Sequence, residues 1–519
     1  MLEVMIAAPA SGSGKTSVTC GLLQALKDRG LAPAAFKCGP DYIDPMFHRS
    51  VLQVPSRNLD VFLAGEERMR ELYRRHTAGC GAAVCEGVMG FYDGMTFGGD
   101  RASAWDVVRL LELPVLLVLH PYGSSLTLAA QVKGMLSFRK DSRIRGLFSN
   151  RCSAGLYAAL KPMLEEETGV PVLGYLPELE QASLSSRHLG LVTVGEVEDL
   201  AQRVRSIAAC LETTLDWPRF LAVYQTGRQP EPAATEQSCE NGPVIAVARD
   251  EAFQFYYEES LDALRRAGAQ LRYFSPLHDA ALPAEAAGLY LGGGYPELHA
   301  KSLSENHPMR HAIRAAVEQG MPTVAECGGF LYLGQSLEDA NGEVWPMVGV
   351  LPGEGHKTGG LVRFGYNRLA AQSDSMLLRT GETTNAHEFH CWDSTENGAA
   401  LQALGVGADT PSAEGGLIEK GSDGTPTGYM EETDFVTRLK KIPPPDGNKL
   451  MDAFDRAQEL YFSNGIVLIQ EGLAVAELLP LYQALLRAGK LRAEVVAYPG
   501  REDFSAYAEA FPRTLDGQN

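Results

Sequence analysis

The 519-residue chain is 45% hydrophobic with a mean hydropathy of −0.12, the make-up of a soluble globular protein of two or three domains. A net charge of −19 argues against a nucleic-acid partner, and no run of about 18 uncharged apolar residues offers a membrane span. Nine cysteines without CxxC pairs argue against a disulfide framework and a zinc site, and point to a cytoplasmic compartment with reduced thiols.

The opening MLEVMIAAPASGSGKT has no basic region before its apolar stretch, so it reads as a strand, Leu2–Ala7, and not as a signal peptide. Helical spacing of Val18, Leu22, Leu23 and Leu26 predicts a helix from Ser17 to Arg29, stopped by Gly30. Strands are expected at Ala34–Cys38, Ala82–Glu86, Pro114–Leu119, Leu147–Asn150 and Val172–Tyr175. Such alternation implies an α/β domain with a mostly parallel sheet covered on both faces. Residues 197–224 read as helical, and the Pro- and Gly-rich stretch Gln225–Pro243 as a linker. A second alternating pattern starts at Val244–Ala248; beyond a break at Pro443–Gly447 the tail reads as one more strand–helix–strand unit.

Between the first strand and helix, Gly12-Ser13-Gly14-Lys15-Thr16 has the context of a phosphate loop, although Pro9 stands where the usual first glycine would be. Backbone N–H groups around Gly12, Ser13 and Gly14 would wrap phosphate oxygens, Lys15 would reach the terminal phosphates, and Thr16 would bind Mg²⁺. Glu86, at the carboxyl end of its strand, is a natural second Mg²⁺ ligand, or else an ordinary strand-end glutamate. Asp41 and Asp44 lie on the loop after another strand, near the same edge; by themselves they read equally as a solvated turn.

The stretches APASGSGKTSVT, FKCGPDYIDPMFH, CEGVMGFYDG, SSRHLGLV, YLGGGYPELHA, AECGGFLYLG and HEFH, in this order, resemble the cobyrinic acid a,c-diamide synthase family. Its N-terminal half is similar to dethiobiotin synthetase. The resemblance implies two doubly wound, mostly parallel sheets: a P-loop domain over 1–192 and a flavodoxin-like class I glutamine amidotransferase domain over 244–435. Residues 193–243 then form a helical segment and linker, and 436–519 a divergent extension. The implied reaction is ATP-dependent amidation of a tetrapyrrole polycarboxylate through an acyl phosphate, with glutamine or ammonia as nitrogen source and ATP and Mg²⁺ as cofactors. A homodimer is compatible with it. It implies that Asp41, Tyr42 and Asp44 lie close to the reacting carboxylate and the metal, and that Asn150 stands where related folds recognise adenine. His120 departs from the family's usual Asp after the strand Pro114–Leu119.

Cys327 follows an apolar strand and precedes two glycines and a helix, the pattern of a nucleophile elbow. The helix N-terminus is expected to lower its thiol pKa. N–H groups of Gly293, Gly294 and Gly328 are expected to form an oxyanion hole. His387 and His390 match the family's GHEFH stretch except for Ala386, and are expected to line the macrocycle cleft. The family's catalytic histidine belongs further on, about where Tyr429-Met430-Glu431 stands, yet His390 is the last histidine in the sequence. The general base is therefore expected to be missing, which favours free ammonia. Other readings are amidation of hydrogenobyrinic acid, Ni-sirohydrochlorin or sirohaem, or a regulatory P-loop ATPase of the partition type.

Overall fold

Leu2–Ala7 forms β1 at the heart of a seven-stranded, wholly parallel sheet in the computed structural model. Its partners are β2 (Pro33–Cys38), β3 (Ser56–Leu59), β4 (Ala82–Glu86), β5 (Val115–Leu119), β6 (Ile144–Asn150) and β7 (Val172–Leu176), in the order β3-β2-β4-β1-β5-β6-β7. The expected strands are present with ends shifted by up to three residues. β3 was not expected: its sequence SRNL has no apolar alternation, and it forms as a short edge strand beside β2. The structure describes residues 1–179, 194–228, 242–361 and 363–405, with short stretches beyond, so the motif Ser185–Val192 and residues 229–241 lie outside the described residues.

The helix after the phosphate loop runs Lys15–Asp28, and Gly30 takes the left-handed conformation (φ +77°) that ends it. The expected helical segment is two helices, Val194–Thr214 and Trp217–Tyr224, with Asp216 capping the second through the Arg219 N–H. Both pack on the first sheet's core. A Cβ on Gly21 would lie 2.4 Å from Ile207, and the Tyr224 hydroxyl donates to the Val115 carbonyl at 3.0 Å.

Strands β8 (Val244–Ala248), β9 (Phe253–Phe255), β10 (Gln270–Phe274), β11 (Ala286–Leu291), β12 (Gly293–Gly294) and β13 (Thr323–Ala325) build the second nucleus. β10-β8-β11-β13 is again a parallel sheet, and β9 with β12 makes a small antiparallel ribbon above its carboxyl edge. Next come β14 (Ser336–Glu338), β15 (Val344–Pro346), β16 (Glu354–Lys357), β17 (Arg363–Ala371), β18 (Thr383–His390), β19 (Trp392–Ser394) and β20 (Leu401–Gly405). They form one mixed sheet, β15-β14-β16-β19, and one antiparallel sheet, β18-β17-β20. Residues Met1–Tyr429 form one structural unit and Met430–Asn519 another. In the latter, Leu468–Ala474 pairs in parallel with Glu494–Pro499, with helical residues 483–485 between them. Among the described residues no helix is long and apolar enough to cross a membrane.

Candidate active site

The phosphate loop is shaped by β1 ending and the helix Lys15–Asp28 beginning within eight residues. Gly14, the helix N-cap, has φ +92°, and a Cβ there would lie 1.9 Å from Asn150 Nδ2. Only glycine fits both demands. Asn150, at the end of β6, donates to the Ser13 carbonyl at 2.9 Å, so in this structure it braces the loop. Gly12, also at positive φ, borders open space. Lys15 donates to the carbonyls of Met89 (2.6 Å) and Ala10 (3.4 Å), tying the segment after β4 to the loop. Burial lowers its pKa, and Lys37 pushes the same way.

Behind this loop lies a buried charge cluster. Glu86 Oε1 accepts from the Thr16 hydroxyl at 2.7 Å and from Lys37 Nζ at 2.8 Å. Lys37 also stands 2.5 Å from Asp44 Oδ2 and 3.9 Å from Asp41 Oδ2. Burial alone would lower the Lys37 pKa, but Asp44, Glu86 and Asp41 hold it well above its ordinary value. Burial pushes Asp44 up, and Lys37 reverses this and leaves its carboxyl below the usual range. Glu86 is fully buried, and desolvation raises it to about 7 against the pull of Lys37. Asp41 is raised by burial and by Asp44; its Oδ1 accepts from the N–H groups of Ile43 and Asp44, closing the turn into the helix Ile43–Ser50.

Lys37, which no sequence motif singles out, is the hub that joins the three carboxylates Asp41, Asp44 and Glu86. A single lysine inside the otherwise apolar strand PAAFKC was the available signal, because a buried ammonium needs partners.

Glu86 Oε2 is buried without a hydrogen-bond partner, and Thr16 Oγ1 lies beside the same carboxyl group. That oxygen pair fits Mg²⁺ carried in with nucleotide phosphates. Among the described residues no group of three His, Cys, Asp or Glu side chains is placed to hold a metal by itself.

Cys327 sits at the end of β13, before the helix Gly328–Leu333, with φ +49° and ψ −113°. A non-glycine residue there is strained by about 1–3 kcal/mol, the signature of a nucleophile elbow. The Gly292–Gly294 run crosses directly beside it: a Cβ on Gly293 would stand 3.3 Å from Cys327 Cβ and 3.6 Å from Sγ. The thiol reaches solvent yet is densely surrounded by protein, as at the floor of a cleft. Contrary to expectation its pKa is raised. Burial dominates; the N–H groups of Gly328 and Gly294, hydrogen-bonded to the sulfur, pull down, while Glu297 and Glu326 push up. The helix here has only six residues, too short to outweigh desolvation. Glu297, in the quoted YLGGGYPELHA stretch but not singled out, is buried and raised by desolvation to about 7.

Tyr42 spans the two centres. Its neighbours Asp41 and Asp44 face Lys37, while its ring stacks on Tyr257 (centroids 4.4 Å apart) and Phe255 (5.2 Å), the latter on the ribbon beside Cys327. The Tyr257 hydroxyl donates to the Pro40 carbonyl, and Arg57 pairs with Asp262 at 3.1 Å across the same boundary.

Comparison with known proteins follows this division. Residues 4–192 match the CobQ/CobB/MinD/ParA nucleotide-binding domain, and residues 244–429 the CobB/CobQ-like glutamine amidotransferase domain. The chain is 39% identical over 394 residues to the cobyrinate a,c-diamide synthase of Listeria innocua, covering 75% of this chain and 87% of the relative. It is 40% identical over 390 residues to that of Caldanaerobacter subterraneus subsp. tengcongensis, covering 74% and 85%. The chain belongs to the cobyrinate a,c-diamide synthase family. Solved structures are more remote: chloroplast FtsY from Physcomitrella patens aligns over 39% of this chain and 65% of its own at TM-score 0.26 and 13% identity.

Within the family frame, the histidines of the HEFH stretch lie on β18, in the sheet β18-β17-β20, whereas Cys327 follows β13 of the parallel sheet. The His387 ring lies edge-on to Tyr366 at 5.5 Å, and Tyr366 in turn donates to Asp60 at 2.7 Å. His390 Nδ1 is 2.6 Å from the Trp392 carbonyl, and its Nε2 is 3.9 Å from Glu388. Burial lowers the His387 pKa, whereas Glu388 raises that of His390. Glu431 lies outside the described residues, as do the side chains of Tyr429 and Met430, so the expectation of a missing general base about there is not tested by the structure.

Proposed function

We propose that this chain amidates the a and c side-chain carboxylates of cobyrinic acid in cobalamin biosynthesis, driven by ATP and using glutamine as nitrogen donor. The carrying observation is that one structural unit holds a phosphate loop backed by the Thr16–Glu86–Lys37–Asp44 cluster and a glycine-flanked thiol elbow, with Tyr42 between them.

In this reading the N–H groups around Gly12–Gly14 and the Lys15 ammonium bind the phosphates of ATP. A substrate carboxylate oxygen attacks the γ-phosphorus and ADP leaves, giving an acyl phosphate; ammonia then attacks the acyl carbon, inorganic phosphate departs, and a proton is lost to yield the amide. The protein supplies position and fixed charge. Lys37, held by Asp44 and Glu86, places one cation at the carboxyl edge of the sheet where the negative charge of both steps is met. Thr16 and Glu86 would hold Mg²⁺, which when bound neutralises phosphate charge. Ammonia arises when Cys327 Sγ attacks the glutamine carboxamide carbon and the C–N bond breaks, the thiol proton leaving with the nitrogen; water then hydrolyses the glutamyl thioester to glutamate and restores the thiol, with Gly293, Gly294 and Gly328 lining the oxyanion side.

A second reading concerns the nitrogen source. With no histidine after His390, and with His387 and His390 engaged by Tyr366, Trp392 and Glu388, the chain uses free ammonium better than glutamine. Mass spectrometry of products from cobyrinic acid, hydrogenobyrinic acid, Ni-sirohydrochlorin and sirohaem tests both readings. Each is supplied with ATP, Mg²⁺ and either amide-¹⁵N glutamine or ¹⁵N ammonium. Two ¹⁵N atoms on cobyrinic acid are expected; label on another ring alone would refute the substrate assignment.

A further inference from the structure

Tyr256 lies between β9 and the helix Glu258–Arg266, and its side chain is buried beside the glycine run of the thiol centre. Its hydroxyl makes two hydrogen bonds. It donates to the Ala248 carbonyl, at the end of β8, and accepts from the Gly292 N–H, just past the end of β11, at 2.8 Å. β8 and β11 are neighbours in the parallel sheet, and their last paired rung is Val247 with Tyr290. The hydroxyl therefore stands where that ladder would otherwise continue, and it joins two strands that part at their carboxyl ends. Burial raises its pKa, so it keeps the proton it donates.

Gly292 is held on its other side as well. Its carbonyl accepts from the Gly329 N–H at 3.0 Å, on the helix that follows Cys327. A Cβ at Gly292 would stand 2.5 Å from two atoms of the Tyr256 ring, so ring and glycine are in direct contact. The same ring meets Tyr290 edge to face at 5.1 Å, and Tyr290 donates to Glu326, the residue before Cys327, at 2.8 Å. The N–H and the carbonyl of Gly292 belong to successive planar peptides, so fixing both sets its φ and ψ. That constraint passes along the run to Gly294, whose N–H is bonded to the sulfur.

We infer that Tyr256 is a positioning residue for glutamine hydrolysis: its hydroxyl sets the glycine run where the Gly294 and Gly328 N–H groups meet the oxygen that turns negative as Cys327 attacks the carboxamide. The inference deepens the glutamine-using reading and rests on it. Tyr256 acts through Gly292. Without the hydroxyl, the Ala248 carbonyl and the Gly292 N–H lose their shared partner inside the protein, and the run relaxes to satisfy them, taking the Gly294 N–H with it. A displacement of about 1 Å at a reacting centre can cost about 10²-fold in rate.

The test compares the parent with Tyr256→Phe, and with Tyr73→Phe as a control that loses another buried hydroxyl, bonded to Glu3 at 2.7 Å in the nucleotide-binding half. The probe is L-glutamate γ-semialdehyde. Cys327 Sγ adds to its aldehyde carbon and the aldehyde oxygen takes up the thiol proton, giving a tetrahedral thiohemiacetal whose oxygen occupies the oxyanion side. Its dissociation constant is read from protection of Cys327 against iodoacetamide, by peptide mass spectrometry, alongside ammonia release from glutamine. In Tyr256→Phe, aldehyde affinity and kcat for glutamine are expected to fall together by about 10²-fold. KM for glutamine and the ammonium-driven amidation rate should stay within about twofold of the parent. Undiminished aldehyde affinity would overturn the inference. So would losses that Tyr73→Phe reproduces, or ammonium-driven amidation falling in step with glutamine use, since the hydroxyl would then hold the fold and not the oxyanion side. A parent whose Cys327 takes the aldehyde but which amidates with ammonium alone would sink glutamine as donor, and the aldehyde affinity of Tyr256→Phe would still decide the inference.

Discussion

The phosphate-loop centre and the thiol centre hold reactive groups in opposite ways. Around Lys37 the device is charge: a buried ammonium and two carboxylates compensate one another within hydrogen-bonding distance, and the strands behind them are wholly buried. Around Cys327 the device is backbone shape: a positive φ, a glycine run without side chains and two N–H groups aimed at sulfur. The first arrangement makes strong use of low dielectric, where an unpaired charge is costly. The second leaves the nucleophile open to a small substrate and stores strain in it.

The sharpest way to break this contrast is to remove the reactive group from each side. Lys15→Ala is expected to reduce amidation by about 10²–10³-fold or more with glutamine and ammonium alike, because carboxylate activation precedes nitrogen attack. Cys327→Ala should abolish glutamine-driven amidation and leave the ammonium-driven rate within about twofold. If ammonium-driven turnover fell together with glutamine use in Cys327→Ala, the two centres would not be chemically separate.

Lys37→Met tests the charge device by stability as well as rate. It leaves Asp44 and Glu86 uncompensated, so a loss of about 3–5 kcal/mol in denaturant unfolding is expected, with Lys37→Arg recovering part of it. An unfolding midpoint equal to the parent's would show that the buried cluster does not form.

A pH series sharpens the same side. The Glu86 carboxyl, raised to about 7, is protonated below that pH and so loses its charge for Mg²⁺ as pH falls. The Mg²⁺ concentration for half-maximal activity at saturating ATP should rise by about tenfold per unit below pH 7 and level off above it. Glu86→Gln should flatten that profile; an Mg²⁺ requirement independent of pH from 6 to 8 in the parent would dismiss Glu86 as a ligand.

On the thiol side the effects are smaller. Glu297 raises the Cys327 pKa, so Glu297→Gln should move the midpoint of Cys327 alkylation, read by peptide mass spectrometry, to lower pH. An unmoved midpoint would mean that the two groups do not interact. If Glu297 also serves as the base, glutaminase activity falls in the same variant although its thiol is more reactive. Smallest of all, Cys327→Gly should be about 1 kcal/mol more stable than Cys327→Ala, because glycine accepts φ +49° without strain. Equal stabilities would remove the claim that the elbow is strained.

The amino-acid sequence by itself determined the local elements and the reactive groups they carry. Alternating apolar runs placed most parallel strands, since a buried strand must be apolar on both faces; Gly14-Lys15-Thr16 and Cys327-Gly328-Gly329 announced their turns through residues few other positions require. Tertiary structure decided what those groups meet. β3 exists because β2 offers it an edge, not because SRNL favours a strand. Lys37 became the hub because parallel pairing sets it directly opposite Glu86, a neighbour 49 residues away that no local pattern reveals. Asn150 reached Ser13 through a gap left by a glycine without Cβ. The Cys327 pKa moved up, against the expectation drawn from the following helix, because desolvation depends on everything packed around the sulfur while the helix contributes only its first turn.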